Sequence, residues 1–170
     1  RGMVDKYTWI EKGSSYLPSE LNAAYLYAQL EKAEEIHEDR LRSFGLYQEY
    51  LGELAEEGYL EMPTIPKECV HNAHMFYIKV KDLDERAKLI HYLKECGVGA
   101  VFHYVPLHSS PAGLKYGRFH GQDMYTTKES ERLLRLPTLR SLSTDLFTVL
   151  RNTSSLFKAF FFFYFGDGER

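Results

Sequence analysis

The 170-residue chain is 44% hydrophobic and 26% charged, and its formal net charge at pH 7 is -3. This length allows one domain with a sizeable core, and the small negative charge gives no reason to expect nucleic acid or an anionic membrane as a partner. No basic segment precedes an apolar one, as a secretory signal requires, so we expect a cytoplasmic protein. Cys69 and Cys96 lie far apart without CxxC spacing, which favours two free thiols over a disulfide.

A long helix is predicted to follow an irregular entry segment. Pro18, Ser19 and Glu20 suit the first turn of a helix. Apolar side chains then recur at helical spacing almost to Gly58: Leu26, Leu30, Ala33, Leu41, Phe44, Leu51 and Leu54. A stripe of this length cannot be buried inside one small domain, so residues 21–60 are predicted to bridge two domains or to lie along a subunit interface.

The second half of the chain begins with a pattern of strand, helix and strand. Residues 74–80 are rich in aromatic and β-branched side chains, which favours a strand. A helix is predicted from Asp82 to a stop at Gly97, and residues 98–104 are the next predicted strand. This order indicates the α/β class, here an α+β small domain over residues 61–140.

A long loop and a third helix are predicted next. Residues 106–125 form a stretch that is long for a compact domain, and such loops are usually functional or mobile. Thr126 and Glu129 have the spacing of a capping box. They predict a helix that ends before Pro137.

The end of the chain has an unusual composition. Residues 160–165 are five phenylalanines and one tyrosine, an uncharged, β-prone run that is an aggregation hazard if exposed. Our hypothesis is that residues 141–170 form an aberrant tail, produced by a frameshift in the coding DNA or otherwise non-native. A divergent buried helix is the alternative.

Five segments of the chain carry a resemblance to a known family. They are DKYTW at 5–9, GSSYLPSELNAA at 13–24, NAHMFYIK at 72–79, AVFHYVPLHSSPAG at 100–113 and YTTKESERLLRLP at 125–137. In this order they resemble the C-terminal part of the DegT/DnrJ/EryC1/StrS sugar aminotransferases, from about Asp5 to Pro137. These are fold-type I enzymes that use pyridoxal 5'-phosphate (PLP) and act on nucleotide-linked keto-sugars.

The resemblance implies a domain organisation and an activity for the intact protein. Residues 1–20 are expected to end the large cofactor-binding domain and to include a loop that reaches the neighbouring subunit; residues 21–60 are the connecting helix. The intact protein is expected to be a homodimer that transfers an amino group, from glutamate, to a dTDP-4-keto-6-deoxy-hexose. The Schiff-base lysine of the family lies upstream of the matching segments, so the 170-residue chain alone is expected to be inactive.

Ser14, Ser15 and Tyr16 match the family loop that contacts the PLP phosphate. The resemblance therefore implies a cofactor-binding role for them, and hydroxyl groups close to a helix N-terminus suit a phosphate. Many relatives carry Asn where this chain has Ser15. On the residues alone, a simple turn is the alternative, because serine clusters usually mark loops.

His103, Tyr104 and His108 match a family segment that lines the active site near the sugar nucleotide. The resemblance implies substrate binding, with His108 contacting substrate and His103 orienting its neighbours, since imidazoles can bond sugar hydroxyls or a diphosphate. Without the resemblance, structural histidines are the alternative. A zinc site is disfavoured, because this spacing gives two nitrogens and no third ligand nearby.

Two other interpretations of the whole chain stay open. A non-catalytic module for nucleotide-sugar binding or dimerisation is one, and a PLP-dependent sugar dehydratase relative, which lacks the family's lysine, is the other. His71, Asn72 and His74 are assigned either to the rim of the substrate cleft or to hydrogen bonding at the entry of the first strand.

Overall fold

The structure is a computed structural model that describes residues 16–138 and 146–165. Its elements in chain order are α1 Glu20–Leu30, α2 Ala33–Glu56, β1 Phe76–Lys79, α3 Leu83–Glu95, β2 Val101–Phe102, a 3-10 turn Leu107–Ser109, α4 Pro111–Tyr116, α5 Thr126–Arg132, β3 Leu133–Leu136 and α6 Leu146–Phe165. They fall into two compact units, of which the first ends at Glu34 and the second begins at Glu35.

Helix α1 begins where the sequence predicts. The Ser19 side chain is its N-cap and accepts a hydrogen bond from the Asn22 N–H at 3.3 Å. The predicted single helix is nevertheless two helices, because the chain tightens into a turn after Leu30, where the Lys32 N–H bonds the Gln29 carbonyl at 3.1 Å. None of the residues of α1 is buried.

The second unit contains a three-stranded antiparallel sheet in the order β1-β3-β2. Phe76 of β1 pairs with Leu136 of β3, and Val101 of β2 pairs with Arg135 of β3. The third helix ends before Pro137, as predicted, but the strand that follows it is not predicted from the sequence. The helix ends at Arg132, and β3 follows it as the central strand because alternate leucines reach the core while their neighbours stay half-buried.

The first predicted strand is confirmed as β1, whereas the second is much shorter than predicted. Only Val101 and Phe102 pair with β3, although Val98 and Ala100 are buried. The helix predicted between the strands is confirmed as α3, with Asp82 as its N-cap. Gly97 ends it with a φ of 79°, a left-handed conformation that glycine adopts without strain.

The core of this unit lies between the sheet and the helices. Helix α2 buries four apolar side chains at helical spacing: Phe44, Tyr47, Leu51 and Leu54. The ring of Tyr47 stacks on Phe76 with centroids 4.7 Å apart, and its hydroxyl donates a 2.7 Å hydrogen bond to the carbonyl of Pro137. Burial raises the pKa of the Tyr47 phenol, which therefore stays protonated and keeps this bond.

The phenylalanine run near the end of the chain forms part of α6. Phe157, Phe160 and Phe161 are buried, while Phe162 and Phe163 are 67% and 82% exposed. The segment is therefore a helix, as the alternative to an aberrant tail predicts, and one of its faces packs into the core. The frameshift hypothesis concerns the coding DNA and stays a prediction. In the part of the chain that the structure describes, no helix has the length and apolarity needed to cross a membrane.

Candidate functional site

Strand β2 delivers His103 and Tyr104 to the surface at its end. Two arginines hold the strand: the Arg86 guanidinium lies over the Phe102 ring at 5.3 Å from its centroid, and Arg135 donates to the Phe102 carbonyl at 3.3 Å. The rings of His103 and Tyr104 meet edge to face with centroids 4.8 Å apart. Both side chains are exposed, Tyr104 by 72%, so they are available to a ligand.

The predicted long loop after β2 is folded into a 3-10 turn and the short helix α4. Ser110 joins them: its hydroxyl donates to the Leu107 carbonyl at 2.7 Å and accepts from the Gly113 N–H at 3.0 Å. Gly113 is required here, because a Cβ at this position would lie 1.7 Å from the Leu107 carbonyl oxygen. This close turn fixes the backbone that carries His108.

His108 is the most firmly held of the three predicted substrate residues. Its Nε2 lies 2.9 Å from Oδ2 of Asp123, and both side chains are less than a quarter exposed. The ring of Phe119 packs against the imidazole with centroids 4.5 Å apart. Among the described residues, no ring contact or hydrogen bond joins His108 to His103, so the predicted trio divides into two separate groups.

Asp123 was not predicted from the sequence, and it organises both His108 and the start of α5. Its Oδ1 accepts from the N–H groups of Tyr125 and Thr126 at 3.2 and 2.8 Å. Its Oδ2 accepts from the N–H and hydroxyl of Thr127 at 3.0 and 2.5 Å. These bonds, with that from the Thr127 hydroxyl foremost, hold the pKa of Asp123 below its usual range, so the carboxyl stays ionised.

The predicted capping box at the start of α5 is wrong, because Asp123 does the capping instead. No side-chain bond comes from Tyr125, the residue that precedes the helix, and the Glu129 carboxylate is engaged by Lys79 at 2.9 Å. The signal that identifies the true cap is an aspartate just before the helical pattern, a residue type favoured at N-caps.

A network of charges ties α5 to the sheet and so fixes the position of Asp123. Lys79 of β1 lies 2.7 Å from a Glu61 oxygen and 2.9 Å from Glu129, while Arg132 contacts both carboxylates and donates to the Val80 carbonyl at 2.7 Å. Hydrogen bonds from Lys79 are the main reason why the pKa values of both carboxyl groups are lowered. The same bonds raise the pKa of Lys79.

The predicted PLP residues are described only in part. Ser14 and Ser15 lie outside the described residues, whereas Tyr16 is described and is 91% exposed near the N-terminus of α1. Its phenol can donate a hydrogen bond to a phosphate oxygen. Tyr16 therefore fits the donor chemistry that a PLP phosphate needs, and the role of all three residues stays a prediction.

His71, Asn72 and His74 take part in hydrogen bonding at the entry to β1. Oδ1 of Asn72 lies 2.9 Å from Nδ1 of His74 and accepts from its backbone N–H at 3.2 Å. The ring of His71 packs edge-on against Phe44, 4.5 Å away. The three residues also line a surface cleft of about 400 Å³.

Metal-ligating and thiol groups are dispersed in the described residues. No group of three or more His, Cys, Asp or Glu side chains within residues 16–138 and 146–165 could hold a metal ion. Cys69 and Cys96 are exposed free thiols, as the sequence predicts.

Comparison with known proteins identifies the family to which the chain belongs. The sequence model of the DegT/DnrJ/EryC1/StrS aminotransferase family matches residues 1–151. An uncharacterized protein of Methanocaldococcus jannaschii is 30% identical over 148 residues, which are 82% of this chain and 36% of that protein. The chain therefore spans little more than a third of the length of this curated relative.

Solved structures share the fold. The Helicobacter pylori aminotransferase PseC, involved in the biosynthesis of pseudoaminic acid, superimposes with a TM-score of 0.70 at 16% identity, over 92% of this chain and 42% of PseC. NtdA of Bacillus subtilis, solved with bound pyridoxamine phosphate, gives 0.56 at 25% identity, over 71% of this chain and 28% of NtdA. The fold is thus that of one part of a PLP aminotransferase.

Proposed function

We infer a function from the premise that the chain belongs to the DegT/DnrJ/EryC1/StrS aminotransferase family. We propose that it is the C-terminal portion of a PLP-dependent transaminase that acts on a nucleotide-linked keto-sugar. The observation that carries this proposal is the family match over residues 1–151, which includes every predicted site residue.

The proposed substrate site is built on His108, with His103 and Tyr104 beside it on the chain. His108 is held on a folded loop by the Asp123 carboxylate and the Phe119 ring. Its remaining ring nitrogen can hydrogen-bond a sugar hydroxyl when neutral, or a diphosphate oxygen when protonated. Aromatic side chains on the same loop offer apolar contact to a nucleotide base.

The proposed cofactor contacts lie in the first unit of the chain. When bound, PLP supplies the electron sink for amino transfer. Tyr16, with Ser14 and Ser15, would donate hydrogen bonds to its phosphate, and the Schiff-base lysine would come from the part of the family that this chain does not match. Ser14, Ser15 and Tyr16 would bind and orient the cofactor but could not form the Schiff base. The 170-residue chain alone is therefore proposed to be inactive.

The intact protein is proposed to be a homodimer, with glutamate as amino donor. Large apolar side chains at the end of β2 and in the following loop are exposed: Val101, Phe102, Tyr104, Val105 and Leu107. Such a run in a folded protein normally meets another surface. The cofactor domain or the neighbouring subunit would supply that surface in the proposed enzyme.

The finer proposal is a dTDP-4-amino-4,6-dideoxygalactose transaminase, with dTDP-4-keto-6-deoxyglucose as the amino acceptor. It rests on the similarity of the five sequence segments. The test is to sequence the coding DNA upstream of Arg1, express the whole reading frame, and follow transfer of nitrogen from 15N-glutamate to this keto-sugar by mass spectrometry.

The whole product is expected to transfer nitrogen, and the 170-residue chain is expected not to. A frame with a lysine but no transfer to this sugar would contradict the substrate, and a frame without the lysine would favour the dehydratase. An intact frame that starts at Arg1 would contradict the enzyme and favour the non-catalytic module.

Binding tests the proposed site independently of turnover. His108→Ala is expected to weaken dTDP binding by the 170-residue chain about tenfold to a hundredfold, because one hydrogen bond to a charged group contributes about 1.5–3 kcal/mol. His91→Ala is the matched control, because His91 is an exposed histidine of α3 that pairs with Glu95. Equal affinities of the two variants would contradict the role of His108.

A further inference from the structure

The pair formed by His108 and Asp123 has a definite direction of hydrogen bonding. Asp123 already accepts four bonds, from three backbone N–H groups and the Thr127 hydroxyl. A carboxyl in this position is ionised and has no proton to donate. The proton between Oδ2 and Nε2 must therefore reside on Nε2 of His108.

The alternative donors and acceptors around Nε2 lead to the same assignment. The Thr127 hydroxyl lies 3.4 Å from Nε2 of His108 but only 2.5 Å from Oδ2 of Asp123, so it donates its hydrogen bond to the carboxylate and not to Nε2. Within the part of the chain that the structure describes, Nδ1 of His108 has no hydrogen-bond partner. Nδ1 is thus the ring nitrogen left for a ligand.

We propose that Asp123 is a positioning residue for the nucleotide-sugar ligand, holding His108 through its Nε2–H so that Nδ1 faces the ligand's polar groups. This inference rests on the proposed function. Asp123 is itself fixed, because it caps α5, and α5 is anchored to β1 through Glu129 and Lys79. The sheet thereby sets the orientation of an imidazole on a loop.

The same arrangement defines what the ligand must offer. A neutral His108 with its proton on Nε2 accepts at Nδ1, so it suits a sugar hydroxyl. A ring that carries protons on both nitrogens donates at Nδ1, so it suits a diphosphate oxygen. Loss of the carboxylate would leave both tautomers and several ring orientations open.

The experiment uses long-range 1H–15N correlation spectra of the 170-residue chain, which identify the protonated ring nitrogen of each histidine. His108 is expected to carry a proton on Nε2 that exchanges slowly with water. His91 is an internal comparison: its Nε2 lies 3.3 Å from Glu95, but both side chains are more than 60% exposed, and its N–H should exchange fast. A proton on Nδ1 of neutral His108 would overturn the inference.

Ligand binding to matched variants completes the test. Asp123→Asn keeps one oxygen that can still accept from the Tyr125 and Thr126 N–H groups, but it replaces the oxygen that faces His108 and Thr127 by an NH2 group, which cannot accept. The substitution is expected to weaken dTDP binding about fivefold and to abolish the slowly exchanging proton. Glu95→Gln likewise replaces a carboxylate by an amide, in the His91–Glu95 pair, and this variant should bind dTDP like the unmodified chain. Unchanged affinity of Asp123→Asn would overturn the inference. If the unmodified chain shows the Nε2 proton and binds no dTDP, the proposed ligand class fails while the positioning of His108 is supported.

Discussion

Substitution of Phe160 by alanine tests whether the phenylalanine run belongs to the folded core. The Phe160 ring is fully buried, and its centroid lies 5.6 Å from that of Tyr92 on α3. Removal of a buried phenylalanine ring costs about 3–5 kcal/mol, because transfer free energy is lost and a cavity remains. The better helix propensity of alanine offsets about 0.5 kcal/mol of this cost.

Phe163 provides the matched control in the same helix. It is the same residue type three positions later, and it is 82% exposed. Phe163→Ala is expected to change the free energy of unfolding by less than about 0.5 kcal/mol, because the ring loses little burial. The two substitutions have identical chemistry and differ only in the face of α6 on which they lie.

Urea unfolding followed by far-UV circular dichroism separates the two variants. With a denaturant slope of about 2 kcal/mol/M, the expected net loss lowers the urea midpoint of Phe160→Ala by about 1.3–2.3 M. The midpoint of Phe163→Ala should stay within about 0.3 M of the unmodified chain. Equal midpoints for all three chains would refute the packing of α6 and would favour an aberrant tail.

Three further predictions concern the core, the loop and the charge network. Tyr47→Phe keeps the ring stack and loses one buried hydrogen bond, so urea unfolding should show a loss of about 1 kcal/mol; no loss would contradict that bond. Gly113→Ala should lower the free energy of unfolding by about 1–3 kcal/mol or displace the His108 signals in NMR spectra. Gly99→Ala is the control, because Gly99 has open space around it, and it should leave those signals in place. The pKa values of Glu61 and Glu129 are lower in the folded protein than the value of 4.5 expected in the unfolded chain. The ion pairs of these two carboxylates therefore stabilise the folded state above pH 4.5, and this stabilisation is lost as the pH falls through the folded-state pKa values. The urea midpoint should therefore fall on acidification below about pH 4.5, and less so in the double Glu-to-Gln variant; identical acid profiles would contradict the network.

Local signals in the sequence predicted much of the helical structure. Ser19 and Asp82 are the caps of α1 and α3, and Gly97 ends α3, as their residue types indicate. Each of these features depends on hydrogen bonds and backbone angles within one helical turn. A short window of sequence therefore contains all the information that sets them.

The sequence does not predict the central strand, and it predicts the capping of α5 wrongly, for a related reason. Leu133–Leu136 follows a helical pattern directly, and only its pairing with β1 and β2 makes it a strand. Asp123 was overlooked because the spacing of Thr126 and Glu129 imitates a capping box, while Glu129 in fact bonds Lys79 of β1. In both cases a partner distant in sequence decides between local alternatives.

The sequence alone thus determined the family, the starts of α1 and α3, and the residues on which a substrate site is proposed. The tertiary structure decided which strand is central, which phenylalanines of α6 are buried, and that His108 is held by Asp123 rather than by His103. The physical reason is the range of the interactions. Caps and turns act between near neighbours along the chain, whereas strand pairing, burial and the bond to His108 join segments that only the folded chain brings together.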